Sequence, residues 1–399
     1  MAERMVDVNG VELCTEPFGS PTDPPILLVM GLGASMLWWD ESFCRMLADH
    51  GRFVIRYDHR DTGRSATYEP GGPGYSGTDL VTDAVGVLDA CGLAAAHVVG
   101  VSAGGAIAQL LALDFADRVL SLVLISISPA TPGDRGLPPP TGEFGRFVAR
   151  ARVDWSNPQS VIEYLVVYPR VLAGGKRPFD EAALRELVGR DVARARNIAS
   201  LQNHDVLQDG EQQHEPLSSI AAPTLVIHGA ADPMFPLAHG EALANEIPGA
   251  TFLPLEQAGH GIDREDWTTI VRAIVHHTAP ASKANLRPRS DGLAPDPALD
   301  PSAGPAPCRR SVAAIHDRVT RRADAARLRT QRRRLRVRPV TGRPPAKGSA
   351  SPRLLPLRAR QPPIAGCPVR EPSPSVPCRP CASSHQDGCA ACGLPLIPS

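Results

Sequence analysis

The sequence predicts an α/β domain with a mainly parallel sheet and a helical cap. Three observations carry this. Short apolar runs alternate with helix-patterned segments. The runs are apolar on consecutive residues, as strands buried on both faces must be. One long helical interval separates two of them. The runs are residues 11–16, 25–30, 53–57, 97–99, 119–127 (VLSLVLISI), 224–228 (TLVIH) and 251–255. Between them, residues 42–49, 80–88, 103–115, 237–247 and 267–276 place apolar side chains at helical spacing. Residues 129–223 break the alternation with mostly helical patterns, such as 158–167 and 180–198. An insertion after a central strand sits over the carboxyl ends of the strands, where open α/β sheets place their sites. The expected division is core over 1–128, cap over 129–222, core again over 223–280, and a separate tail over 281–399.

Composition supports that last boundary. The 399 residues carry zero formal charge. From residue 282 onward there are 22 Lys+Arg against 7 Asp+Glu, which leaves 20 basic and 35 acidic residues before it. The tail also holds 20 of the 41 prolines and no Phe, Trp or Tyr. Without aromatics and with much charge and proline, it lacks the means to bury a core and is expected to be disordered. No apolar run approaches the ~20 residues that span a membrane. The opening MAERMVDVNG is charged and lacks the apolar centre of a signal peptide. Cys14, Cys44 and Cys91 are widely spaced and odd in number before the tail, which argues against a disulfide framework and for the cytoplasm.

Residues 97–105 read HVVGVSAGG. Here Gly100-Val101-Ser102-Ala103-Gly104 matches G-x-S-x-G, with a strand before and a helix after. That context is a nucleophile elbow, a strained turn whose neighbours must be tiny. A hydroxyl needs a base, and the base an orienting acid. In this arrangement the chain order is Ser, acid, His. Downstream, Asp232 follows the strand TLVIH and His260 stands between glycines after residues 251–255. Three candidates at three strand ends in the required order point to a triad of Ser102, Asp232 and His260. Asp263 is a distant second choice for the acid. His228 reads as structural, and His239, at a helix start, as exposed. An oxyanion needs two N–H donors. The one after the nucleophile is Ala103, and the glycine-containing loop Val29-Met30-Gly31-Leu32-Gly33-Ala34-Ser35 offers Leu32.

With these residues placed, the chain resembles the α/β-hydrolase superfamily, and within it the aclacinomycin methylesterase-like esterases. The narrower likeness rests on Leu28-Val29-Met30-Gly31 and on residues 54–65, VIRYDHRDTGRS, and it covers about residues 1–280. It implies an α/β-hydrolase fold, the same Ser102–Asp232–His260 triad and no cofactor; no metal is expected, and a small-molecule ester, such as the methyl ester of a bulky molecule, is the expected substrate. The chain departs in having Ala103 where the group often has Met, and Leu32 where the named esterase has glycine. The cap shows no likeness, so substrate identity does not carry over. The polar residues 58–65 read as structural, with Arg60 and Arg64 bonding backbone carbonyls. Trp38 and Trp39 follow the oxyanion loop, one of them suited to line an acyl pocket.

The reading is therefore a serine hydrolase acting on a carboxylic ester, with no nucleic acid or membrane expected for residues 1–280 and oligomeric state open. The same residues could serve a C–C hydrolase or cofactor-free peroxidase, or a ligand-binding member of the fold. The tail holds a basic cluster at 327–338 and a four-thiolate set, Cys378, Cys381, Cys389 and Cys392, which nucleic acid or zinc would suit. Its bias resembles a GC-rich frame read past a stop.

Overall fold

The computed structural model describes residues 2–208 and 214–279. The expectations for the tail, its basic cluster and its cysteines lie outside them. The chain opens with β1 (Arg4–Val8) and β2 (Val11–Phe18), an antiparallel hairpin. Its turn is Asn9-Gly10, at φ +50° and +81°. Two positive φ angles match the right-handed twist of paired strands, and Asn-Gly is the pair that adopts them most readily. β1 was not foreseen; its alternation over RMVDV is short and heavily charged.

Then follow β3 (Pro25–Val29), α1 (Glu41–Asp49), β4 (Phe53–Tyr57), α2 (Gly77–Ala90), β5 (Ala96–Val101), α3 (Ala103–Asp114) and β6 (Val119–Ile125). The insertion supplies α4 (Gly142–Arg150), α5 (Pro158–Leu172), α6 (Glu181–Arg194) and a 3-10 segment over Ile198–Asp205. The core resumes with β7 (Thr224–Gly229), α7 (Ala238–Glu246), β8 (Thr251–Leu255) and α8 (Trp267–His277). The eight strands run in the order β1-β2-β4-β3-β5-β6-β7-β8, parallel from β4 onward.

Consecutive residues of the central strands explain the unbroken apolar runs. Leu27, Val29, Val98 and Leu122 pack with Leu80, Leu111 and Leu243 from α2, α3 and α7. Their neighbours Ile26, Leu28, Val99 and Val123 pack on the other face with Phe43, Leu47, Ile270 and Ile274 from α1 and α8. Truncating one such side chain to alanine costs about 2–5 kcal/mol. The insertion has its own small core, Val161, Leu165, Val166, Val188 and Leu201. Asn157 caps α5, with Pro158 in its first turn.

Residues 58–65 form a buried polar girder. Asp58 accepts the N–H of Met36 at 2.8 Å and of Arg64 at 2.9 Å, and pairs with Arg194 of α6 at 2.8 Å. Asp61 accepts Tyr75 Oη and Asn203 Nδ2 at 2.8 and 2.9 Å. Arg60 does not bond backbone carbonyls, as expected from the sequence, but makes a two-pronged pair with Asp83 at 2.6 and 2.8 Å. Arg64 likewise reaches Glu3, at 3.0 Å, because a carboxylate outcompetes a neutral carbonyl for a guanidinium. His239 is buried rather than exposed: it meets Ser128 Oγ and Pro138 O, each at 2.9 Å, and so ties α7 to the start of the insertion.

Gly63 sits at φ +48°, and a Cβ there would lie 2.2 Å from Arg194 Nη1 and 2.3 Å from Asp58 Oδ2. Gly10, at φ +81°, faces open space. Gly10→Ala should therefore cost only backbone strain, roughly 1–2 kcal/mol. Gly63→Ala should add overpacking of roughly 1–3 kcal/mol and disturb the buried ion pair. Urea unfolding of both variants checks this: Gly63→Ala has the lower midpoint, and equal midpoints would refute the packing argument.

Candidate active site

The end of β5 delivers Ser102 on a turn at φ +51°, ψ −133°, a region that side chains rarely adopt. The helix that follows can start there only because Gly104 has no side chain. A Cβ on it would lie 2.2 Å from Val29 O and 2.5 Å from Met30 O. β3 therefore ends directly against the first turn of α3. The loop Met30-Gly31-Leu32 arrives beside Ser102, and an added Cβ on Gly31 would be 3.3 Å from that of Ser102. Among the described residues, the N–H groups of Leu32 and Ala103 donate to no protein acceptor.

Asp232 follows β7 and is buried. Its Oδ1 accepts the N–H groups of Met234 and Phe235 at 2.8 and 2.9 Å. Its Oδ2 lies 2.8 Å from His260 Nδ1. A carboxylate only accepts, so Nδ1 carries the hydrogen, and in the neutral ring Nε2 keeps its lone pair. Two backbone bonds hold the histidine loop. His260 N–H donates to Leu172 O at the end of α5, at 2.8 Å. Gly261 N–H donates to Ser126 Oγ at 3.1 Å. Ser126 itself adopts φ +49° at the end of β6.

Ser102 and His260 both line a cavity of about 520 Å³. Among the described residues they are not hydrogen-bonded to each other; such bonds often tighten only with substrate present. Apolar lining residues include Leu32, Trp38, Leu165, Tyr168, Leu172 and Met234. Charged side chains, among them Asp40, Arg177, Arg190 and Asp263, border it. Asp263 thus lines the cavity, while Asp232 is the carboxylate on His260. Trp38 faces the cavity and donates Nε1–H to Asp191 of α6 at 2.9 Å. Trp39 is wholly buried against Phe43. Burial pushes the Asp191 carboxyl above its usual range.

The volume suits a small organic molecule. Ser102 on its strained turn, His260 and the loop carrying Leu32 all border this one cavity. A family profile described as alpha/beta hydrolase fold matches residues 24–262. The chain belongs to the α/β-hydrolase fold family. It is 35% identical over 300 residues to rhodomycin D methylesterase DauP of Streptomyces sp. (strain C5), covering 71% of this chain and 100% of that protein. The corresponding DnrP of Streptomyces peucetius is 34% identical over 298 residues, with the same coverage. The structure of esterase RhEst1 from Rhodococcus sp. ECU1013 superimposes with a TM-score of 0.54 at 22% identity, over 70% of this chain and 100% of that one, and shares the fold. These relatives support an ester hydrolase. No helix among the described residues is long and apolar enough to cross a membrane.

His59 and His204, which sequence reasoning did not single out, lie beside the site, and His228 is structural as expected. His59 Nε2–H donates to Met30 O at 2.9 Å. His204, from the 3-10 segment of the insertion, accepts Gly33 N–H on Nδ1 at 2.7 Å and donates Nε2–H to Arg60 O at 2.8 Å. His228 donates to Phe235 O at 2.7 Å. Burial pushes all three below the ordinary histidine range, His204 to about 3. Burial likewise takes His97 to about 4. The unfolded chain binds protons on these rings below about pH 6.5, while the folded chain does not. Stability is therefore complete above that pH and is lost as pH falls. The urea midpoint should drop between pH 7 and pH 4, with proton uptake on unfolding at pH 5. A flat midpoint would show that these rings are charged in the folded state.

Proposed function

We propose that the chain is a serine-dependent carboxylic ester hydrolase that cleaves the methyl ester of a bulky small molecule. The observation that carries it is the 2.8 Å contact of His260 Nδ1 with buried Asp232, in a cavity that Ser102 also lines. His260 Nε2 takes the proton of Ser102 Oγ as that oxygen attacks the ester carbonyl. The Leu32 and Ala103 N–H groups receive the negative charge on the tetrahedral intermediate; each such donor is worth roughly 3–4 kcal/mol of barrier. Collapse expels the alcohol, protonated by His260, and leaves an acyl-serine. Water, deprotonated by the same nitrogen, releases the acid. Asp232 fixes the tautomer and steadies the imidazolium.

The activity in the relatives' names supports the methyl ester. Methanol is tiny, so the cavity of about 520 Å³ is left to the acyl part. That Ser102 opens onto the cavity favours catalysis over mere ligand binding. The unpaired Cys14 and Cys44 thiols, both buried, suit a reducing compartment such as the cytoplasm.

Intact-mass measurement after a fluorophosphonate should show one adduct on the wild-type chain and none on Ser102→Ala. Asp232→Asn should keep the fold and lower kcat on a methyl ester by about 10⁴-fold, because the ring loses its tautomer. An unlabelled, folded wild type would reject the reading.

A further inference from the structure

The donor proposed from the oxyanion loop is a single peptide N–H, that of Leu32. It belongs to the peptide joining Gly31 to Leu32. The peptide before it carries Met30 O, and the one after it carries Gly33 N–H. Each of these flanking peptides is bonded to a buried imidazole. His59 Nε2–H donates to Met30 O at 2.9 Å, and Gly33 N–H donates to His204 Nδ1 at 2.7 Å. The rings lie 6.3 Å apart, nearly perpendicular.

We infer that His59 and His204 are positioning residues for the reaction, clamping the peptides on both sides of the Leu32 N–H so that it stays aimed at the oxyanion. This rests on the reading of Leu32 as an oxyanion donor. A glycine on each side of Leu32 leaves the central peptide little intrinsic restraint. Fixing both of its neighbours removes that freedom without touching the N–H itself. The bond pattern also determines each tautomer. His204 accepts on Nδ1, so its hydrogen is on Nε2, where Arg60 O accepts it at 2.8 Å. His59 donates through Nε2, so its buried Nδ1 is bare, and it has no partner among the described residues. Burial disfavours charge on both rings, which keeps the pair neutral at working pH.

One half of the clamp comes from the insertion. His204 lies 171 residues after Gly33 and in a segment otherwise devoted to the cap. That segment is itself anchored: Asn203 donates to Asp61 Oδ2 at 2.9 Å and accepts Gly71 N–H at 2.7 Å. The cap thereby reaches the oxyanion loop as a rigid strut, and it contributes to rate as well as to substrate fit.

The test separates the two nitrogens. Asparagine places an amide oxygen where Nδ1 stands, whereas glutamine carries its amide one bond further, where Nε2 stands. His204→Asn keeps the acceptor for Gly33; His204→Gln keeps only the donor for Arg60 O. On a methyl ester, kcat should fall about 100-fold for Gln and stay within about threefold for Asn, with KM little changed in both. A merely structural histidine would lower the unfolding midpoint without this split. Asn and Gln variants with equal kcat overturn the inference while leaving the hydrolase reading intact. A wild-type chain that neither reacts with fluorophosphonate nor turns over esters removes both. Should neither variant fold, nitrogen-15 shifts of the wild-type histidines decide. His204 as the Nε2–H tautomer between pH 6 and 8 supports the clamp, and Nδ1–H or imidazolium overturns it.

Discussion

Everything at this site depends on one backbone contact, that of the last carbonyls of β3 with the first turn of α3. β3 and β5 are paired in parallel, Val29 opposite Gly100, so their ends are level. A side chain at position 104 would occupy the space of Val29 O and Met30 O. With glycine there, the loop after β3 and the turn after β5 meet at van der Waals distance. On the proposed mechanism, the Leu32 N–H from one and the Ser102 hydroxyl from the other can then address the same carbonyl group. The strain at Ser102, of order 1–3 kcal/mol, is tolerable because the flanking strand and helix are both locked into the core.

The insertion is joined to this arrangement at several points. Leu172 O of α5 holds the His260 amide, Asp191 of α6 holds the Trp38 indole, and Arg194 of α6 holds Asp58. Asp58 in turn holds Met36 N–H just beyond the loop that follows β3. A cap that swung away as one body would release the histidine loop and leave the Asp58 carboxylate buried without its cation. Losing one partner of a buried pair costs about 3–5 kcal/mol. Motion of the cap as one body is therefore opposed, and α4 adds to this by burying Phe144 and Val148 in the main core.

Much of the fold was legible because strands buried on both faces leave an unmistakable apolar run; residues 53–57 and 251–255 are strands with those bounds. The hairpin at the start was legible in principle, since Asn9-Gly10 is a turn signal, but charge at Arg4 and Asp7 obscured the strand before it. Ser102, Asp232 and His260 could be nominated because each stands at a strand end among small residues. The supports could not. His204, Asp191 and Arg194 lie in an ordinary helical stretch, and their partners are residues 33, 38 and 58. Nothing local marks such residues, because their role is created by the return of the chain. His239 shows the same limit: a helix start usually faces water, and here the insertion covers it.

The acid illustrates how the surroundings settle a competition. Two imidazoles approach the same oxygen of Asp232: His260 at 2.8 Å and His228 at 3.7 Å. His228 Nε2–H is already given to Phe235 O at 2.7 Å, and its burial keeps the ring neutral. It therefore neither donates to the carboxylate nor neutralises it. The other oxygen takes two backbone N–H groups, which fix the orientation of the carboxylate. The oxygen facing His260 is thus left to that ring alone. On the proposed mechanism, that ring becomes cationic only while the serine oxygen is being transferred. A neutral His228 leaves the transient imidazolium as the sole cation that Asp232 must stabilise.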